Sequence, residues 1–465
     1  MEWSHEHLEI QRTLKRYVED HINPHVDEWE RAGIFPAHEV FKGLGNLGLL
    51  GLTKPEAFGG AGLDYSYGVA MAEALHHIPC GGIPMAIGVQ TDMCTPALAR
   101  FGSDELRHEF LAPAIAGDMV GCIGVSEPGS GSDVSSVRTF ARKEGGDYVI
   151  RGEKMWITNS LQADWMCMLA NTSEPVGGNM HHNKSLIMVR LRENGRLLPG
   201  ITAHKIEKIG MHASDTGHLF FDDVRVPQRN LIGQEGKGFI YQMQQFQEER
   251  LWAAASAWPD LRSLIDQTIE YAQQRQMFGG YLSDMQWFQF KMGELATEVE
   301  ALRAMLYRAC ERYVAGKDVL ELATMAKLKA GRTSRVVADT CLQFWGAWAL
   351  PGTTASRAPT AMAGWARSAA APTKSCWASW PRPWASHASH ETHPYCQSRR
   401  SCRRHGEADC PSTRSVRAGD RAARAHRMKK ILIANRGVHA AGMAKQIARA
   451  RAACGRAIEP RGHTA

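Results

Sequence analysis

GCIGVSEPGSGSDVSSVRTFARKEGGDYVIRGEKMWITN, from Gly121 to Asn159, is the stretch on which the fold turns. It reads as a strand at Cys122–Val125, a Gly/Ser/Pro loop from Glu127 to Asp133, and two short strands with Gly145-Gly146 at their turn. Tyr148, Ile150 and Trp156 keep the period-two apolar beat of a sheet with one buried face. Pro128, Gly129 and Gly131 open backbone that can pass close to a ligand, and Ser126, Ser130 and Ser132 add short hydroxyls and N–H groups. Loop composition alone favours an ordinary polar hairpin loop.

Working outward, the segment before this stretch is helical. Ser4 stands as a cap, and Ile10, Leu14, Val18 and Ile22 recur at helical spacing up to Pro24, which is expected to end the helix. Further helices are expected at Glu39–Leu50, Tyr65–His76 (carrying Glu73), Thr95–Phe101 and Ser103–Leu111, the last stopped near Pro113. Lys54–Leu63 is a glycine-rich loop. On the far side, Leu219–Pro227 is a strand ending at a proline, and Ser214-Asp215-Thr216 fits a substrate-side loop or a plain turn. Long helices then follow at Phe239–Trp258 (stopped by Pro259), Leu261–Gln276, Met285–Ala315 and Val319–Phe344, with a break at Phe278-Gly279-Gly280. Sequential long helices with short joints suggest an antiparallel bundle. The expected class is α+β: an N-terminal helical domain (1–118), a middle β-domain (119–230) and a truncated C-terminal helical bundle (231–346).

A chain of 465 residues, 44% hydrophobic and 22% charged, has room for two or three ordinary globular domains. The net charge of +7 is concentrated after residue 398, in QSRRSCRRH and RAARAHRMKK, so it says little about partners of the folded part. No apolar run is long enough to span a bilayer, and MEWSHEHLEIQ lacks a signal pattern, so no membrane and a cytoplasmic address are the expectations. The eleven cysteines lack zinc or disulfide-framework spacing; no metal site is expected, and those before residue 375 read as reduced, buried thiols.

V-S-E-P-G-S-G-S-D followed by G-E-K-M-W-I-T-N resembles the flavin-embracing β-domain of the acyl-CoA dehydrogenase family. M-A-E-A-L, P-E-A-F-G-G-A-G and L-F-F-D-D-V-R-V-P share that likeness, which covers residues 1–346. It implies FAD-dependent α,β-dehydrogenation of an acyl-CoA thioester, electron-transfer flavoprotein as acceptor and a homo-oligomer, tetramer or dimer, with no nucleic-acid partner. Such chemistry needs a carboxylate base whose proton affinity burial has raised, and an oxidised flavin to accept hydride.

By this resemblance Q-E-E-R-L points to Glu249 as the base; Glu248 is the rival, about 100° away on the helix. Ser132, Ile240, Gln247 and Arg250 are implied substrate contacts. The flavin is implied at Ile123, Val125, Ser126, Gly131, Ser132, Trp156, Ile157 and Thr158, with Ser126 and Thr158 at the ring's polar edge and Trp156 over one face. Arg275, Phe278 and Gln286 match the segment that reaches a partner subunit's FAD, and Gln343 and Gly346 match the start of the last cofactor segment. Gln90–Gly102 and Q-F-W-G resemble the citronellyl-CoA dehydrogenase branch of terpene breakdown, and the Glu249 position resembles the isovaleryl-CoA and long-chain branches. An oxygen-using oxidase and a catalytically impaired or dead scaffold are the alternatives.

After Gly346 the composition turns abruptly to Ala, Arg, Ser, Pro, Trp and Cys with no period. A disordered linker is one reading. Another is a slip of reading frame: codons allowed by Ala347–Thr354, read in a shifted frame, spell Met-Gly-Phe-Thr-Trp-Asp-Asn, which resembles the family's normal C-terminus. Residues 347–427 are then a frame-shifted tail. Met428–Gly437, opening the segment 428–465, resembles the first strand of a biotin carboxylase.

Overall fold

The computed structural model describes residues 1–175 and 180–346; the expectations for 347–427 and 428–465 lie outside the described residues. The chain opens with helices α1 (His5–Tyr17), α2 (Val26–Ala32), α3 (Ala37–Asn46), α4 (Tyr65–Ala74), α5 (Gly82–Gly88), α6 (Pro96–Phe101), α7 (Asp104–Leu106) and α8 (Ala112–Ile115). Asp64 starts α4 by accepting from Ser66 N (2.8 Å), which satisfies one of the first-turn donors. Helix α5 was not expected, because its Gly/Pro content reads as a turn. It forms because Ile83, Ala86 and Ile87 are all wholly buried, so tertiary packing outweighs propensity.

Prolines do not end these helices as expected. Pro24, Pro96 and Pro113 each follow a widened π-turn, at Val18–Ile22, Val89–Met93 and Arg107–Leu111. A proline has no N–H for the carbonyl four residues back, and its ring collides with that carbonyl in a regular α-helix. At Pro24 and Pro113 that carbonyl belongs to Asp20 or Glu109, inside the widened turn, so the helical path continues past the proline. At Pro96, Cys94 and Thr95 are bends, and the proline opens α6 in its first turn, where no N–H is needed.

The middle layer is a sheet built from β1 (Gly121–Gly124), β2 (Phe140–Glu144), β3 (Asp147–Thr158), β4 (Trp165–Asn171), β5 (Lys184–Arg190), β8 (Ile201–Lys205), β9 (Thr216–Pro227) and β10 (Leu231–Ile232). A small hairpin of β6 (Arg192–Glu193) and β7 (Arg196–Leu197) lies off it. The order is β10-β5-β4-β2-β3-β9-β8, with β1 also on β4. Strand β4 is buried at every position, so it reads as a continuous apolar run. Because β5 occupies one side of β4, β1 and β2 share the other, both parallel to it. Residues 125–139 are therefore an excursion between two pieces that occupy one place in the sheet. Strand β3 is twelve residues long and not short; its pairing with β9 shifts register between Lys154 and Ile157.

Lys154 closes the gap that the excursion leaves. Its wholly buried Nζ donates to the carbonyls of Val125 (3.2 Å) and Leu169 (2.8 Å) and to Glu127 Oε1 (2.8 Å). Glu127 also accepts from Arg138 N (2.6 Å), Thr139 N (3.0 Å) and Thr139 Oγ1 (2.6 Å). Burial pushes the Lys154 ammonium down to about 8 against the pull of Glu127. Burial by itself would raise the Glu127 carboxyl; Lys154 and the Thr139 and Arg138 donors hold it below its ordinary value. Asp215 braces the far end: wholly buried, it accepts from Leu161 N (2.6 Å) and Gln162 Nε2 (3.3 Å).

The third layer is α9 (Gly238–Gln274), a hairpin of β11 (Gln276–Met277) and β12 (Gly280–Tyr281), α10 (Gln286–Val314) and α11 (Leu320–Trp345). The expected stop at Pro259 is overturned: α9 is one helix with Pro259 inside it. An interior proline costs roughly 3 kcal/mol. The burial of Trp252, Ala255, Leu261, Leu264 and Ile265 on either side offsets it, because α9 packs on α4, α10 and α11 together. Glu73 of α4 joins the layers, accepting from Trp258 Nε1 (2.8 Å) and Trp3 Nε1 (3.1 Å); burial lifts its carboxyl to about 7. No helix among the described residues is long and apolar enough to cross a membrane.

Two substitutions test this packing. Lys154→Met strands the Glu127 carboxylate in the interior and should cost about 3–5 kcal/mol in urea unfolding, most of it recovered by adding Glu127→Leu. Gly88→Ala would set a methyl 2.3 Å from Trp252 Cζ2 where α5 meets α9. Its unfolding midpoint should fall by the equivalent of about 1–3 kcal/mol.

Candidate functional site

The first part of the site is the sheet edge above the Lys154–Glu127 pair. Ile123 is half-buried on β1 opposite Cys167 of β4, and Val125 is buried at the strand's end. The Ser126 carbonyl accepts from Met155 N (2.9 Å), which stitches the excursion to β3 where the register shifts. Beyond it, Gly131 and Ser132 are exposed, and a side chain at Gly129 or Gly131 would meet nothing within 4 Å. The loop keeps its shape through Asp133, whose carboxylate accepts from Ser135 N (3.2 Å) and from the Ser135 and Ser136 hydroxyls.

Trp156 sits at the irregularity in β3 with φ +66° and its indole 58% exposed. Positive φ is strained for an aromatic residue, and an indole this exposed at such a position contributes little to folding. The bulge turns the ring outward, while Ile157 goes into the core and Thr158, paired with Thr216, stays half-buried at the edge. An open indole face, a bare Gly/Ser loop and a half-buried threonine together fit a flat, phosphate-bearing group. The Ser126–Met155 bond thus sets the start of the Gly/Ser loop beside Trp156, Ile157 and Thr158.

The second part is α9. Glu248 is buried, ion-paired to Arg100 of α6, and accepts from Tyr313 Oη of α10 (2.7 Å). Tyr65 Oη of α4 lies 2.9 Å from the Glu248 carbonyl and 2.9 Å from Asp92 Oδ1. Glu249 lies elsewhere on the helix and is half-buried; burial raises its carboxyl above the ordinary 4.5, against the opposing charges of Lys327 on α11 and Arg250. Arg250 is 9% exposed, with its guanidinium 5.9 Å from the centre of the Phe246 ring, so it is no solvated surface charge. Ile240 and Gln247 are half-buried. At about 100° per residue they share a stripe of α9 with Arg250, whereas Glu249 falls about 180–200° from Ile240 and Gln247. The helix does not gather all four on one face.

The remaining candidates point outward. Arg275, Phe278 and Gln286 are exposed at the β11–β12 hairpin and the start of α10. Phe278 is 90% exposed, at φ +51°. Gln343 is exposed near the end of α11, and Gly346 follows it at φ +57°. Trp345 between them is anchored, donating from Nε1 to Thr268 Oγ1 (3.0 Å) and stacking on Tyr271.

Sequence reasoning missed Lys154, Arg100, Tyr313 and Asp92. Lys154 carried a signal: it is the only basic residue in V-S-E-P-G-S-G-S-D and G-E-K-M-W-I-T-N. Arg100 and Tyr313 carried none, since their partner is 148 residues away in one case and 65 in the other.

Three family models match, described as the acyl-CoA dehydrogenase N-terminal domain (residues 4–118), middle domain (122–224) and C-terminal domain (236–371). The last crosses Gly346. The chain is 34% identical over 346 residues to the long-chain specific acyl-CoA dehydrogenase of Sus scrofa mitochondria, covering 74% of this chain and 79% of that one. It is similar to the acyl-CoA dehydrogenase structure from Geobacillus kaustophilus (31% identity, TM-score 0.72, 80% of this chain and 98% of that one). It is also similar to a glutaryl-CoA dehydrogenase from Mycobacterium smegmatis in complex with FADH2 (26% identity, TM-score 0.73, 81% and 94%). The chain belongs to the acyl-CoA dehydrogenase family, FAD-dependent oxidoreductases that act on acyl-CoA thioesters.

Proposed function

We propose that this chain dehydrogenates a branched acyl-CoA at the α,β position, with Glu249 as the base that takes the proton from the carbon next to the thioester carbonyl. The observation that carries this reading is the division of labour between two neighbouring carboxylates. Glu248 is committed to Arg100 and Tyr313, while Glu249 is half-buried and its carboxyl is raised. A raised carboxylate holds the abstracted proton more firmly, which is what a weakly acidic C–H demands. FAD, when bound, supplies the acceptor for the hydride from the next carbon. Trp156 would cover one face of the ring, Ser126 and Thr158 would bond its polar edge, and Ile123, Val125, Gly131, Ser132 and Ile157 would line its path. Arg250, Gln247, Ile240 and Ser132 would hold the acyl-CoA.

Phe278, Trp287 and Phe290 expose large apolar surface along the hairpin and α10, which supports a homo-oligomer in which Arg275, Phe278 and Gln286 serve a neighbouring subunit's cofactor. Gln343 and Gly346 would begin the last cofactor segment. Electron-transfer flavoprotein is the acceptor this reading favours, and terpene or branched-chain catabolism in the cytoplasm its setting. We also propose that the composition break after Gly346 is a change of reading frame. Sequencing the encoding DNA tests it, and an unbroken family-like frame through residue 371 would overturn it.

The test of the chemistry is anaerobic flavin bleaching. Wild-type protein should lose its visible flavin band faster with a branched acyl-CoA, such as citronellyl-CoA, than with a straight chain. Glu249→Gln should keep the band and slow the bleaching by about 10²–10⁴-fold; unchanged bleaching would remove Glu249 from the role. The pH profile has a sign as well. A base must be ionised, so kcat/KM should rise with pH on an acidic limb centred above 4.5.

A further inference from the structure

Glu248 is where four elements meet. Arg100 reaches it from α6, Tyr313 from α10, and Tyr65 from α4 lies 2.9 Å from its backbone carbonyl. Arg100 Nη2 also donates to Tyr313 Oη (2.7 Å), so the two partners bond each other as well as the carboxylate. Three contacts at a single residue fix the rotation of α9 at that turn. The next residue is Glu249. A turn of the helix about its axis by even 10–20° would swing the Glu249 carboxylate off its line, and misplacement by about 1 Å costs on the order of 10²-fold in rate.

The charge arrangement matters as much as the geometry. Two glutamates in sequence put carboxylates on neighbouring residues, and a bare negative charge on Glu248 would disfavour the ionised form of Glu249. Arg100 offsets the charge of Glu248 on the side of α9 turned toward α6 and α10. Around Glu249 the charged groups are Lys327 of α11 and Arg250. Around Glu248 they are Arg100, Tyr313, Tyr65, and the buried Lys54 and Asp92. Resting on the reading of Glu249 as base, we infer that Arg100, Glu248 and Tyr313 form a clasp that positions Glu249 and screens it from the charge of its own neighbour. Arg100 and Glu248 are positioning residues, acting on the reaction through Glu249.

The experiment uses two opposite charge changes in the flavin-loaded protein. Arg100→Gln leaves Glu248 uncompensated, disfavours ionised Glu249 and should move the acidic limb of kcat/KM to higher pH. Glu248→Gln leaves Arg100 uncompensated and should move the limb to lower pH. A bare unit charge so near Glu249 should move the limb by about 1–2 pH units in each single variant. The double variant Arg100→Gln/Glu248→Gln has no bare charge and should return the limb to its wild-type place while kcat stays lowered. Tyr313→Phe keeps both charges, so it should lower kcat severalfold with KM and the limb unmoved.

A readout independent of turnover is carbodiimide labelling of the protonated Glu249 carboxyl, followed against pH by mass spectrometry; its midpoint should shift in the same opposite senses. Limbs that move in one direction in both single variants, or in neither, would overturn the clasp. If Glu249→Gln proves fully active, the base reading fails, but the labelling midpoints still decide whether Arg100 and Glu248 act on Glu249.

Discussion

One buried ion pair sets the middle layer. Glu127 lies in the excursion between β1 and β2, Lys154 on β3, and the pair is enclosed on all sides. Neither charge would survive there alone, since an unpaired buried ion costs several kcal/mol. Each bond Lys154 makes has a structural consequence: to Val125 it fixes where β1 ends, to Leu169 it ties β3 across the gap to β4, and to Glu127 it anchors the loop's first turn. The bulge follows directly after Lys154, so the outward turn of Trp156 is measured from this anchor. The family wording S-E-P-G-S-G-S-D and G-E-K-M-W-I-T-N is thus two halves of a single physical unit.

The three-part layout was legible in the sequence because its signals are local. Gly/Ser spacing, period-two apolar residues and long helical runs each declare themselves within a dozen residues. Element ends were less legible. Pro24, Pro113 and Pro259 all read as stops, and none is one, because two follow widened turns and the third sits in a helix whose flanks are buried against three others. Helix α5 was invisible for the opposite reason: its composition breaks helices and only its surroundings make one.

At the site, the exposed edge at Trp156, Gly131 and Ser132 and the helix carrying Glu248 and Glu249 were nominated from motifs, and the resemblance gave them roles. What no motif carried was the division between the two glutamates. It depends on Arg100 and Tyr313, far away in sequence and unremarkable there. A charged residue shows its role in sequence only when its partner is near; otherwise burial and pairing appear together, in three dimensions.

The widened turns before Pro24 and Pro113 have a meaning for how this helical layer can change over generations. A π-turn takes up one more residue than an α-turn over the same path. Each therefore behaves as a single-residue insertion absorbed locally, with the apolar stripe on either side left in register. Losing the proline without losing a residue would leave a wide turn with nothing to accommodate, and losing a residue without the proline would restore the collision. Proline and extra residue are a linked pair of characters, gained or lost together at both places in the helical layer.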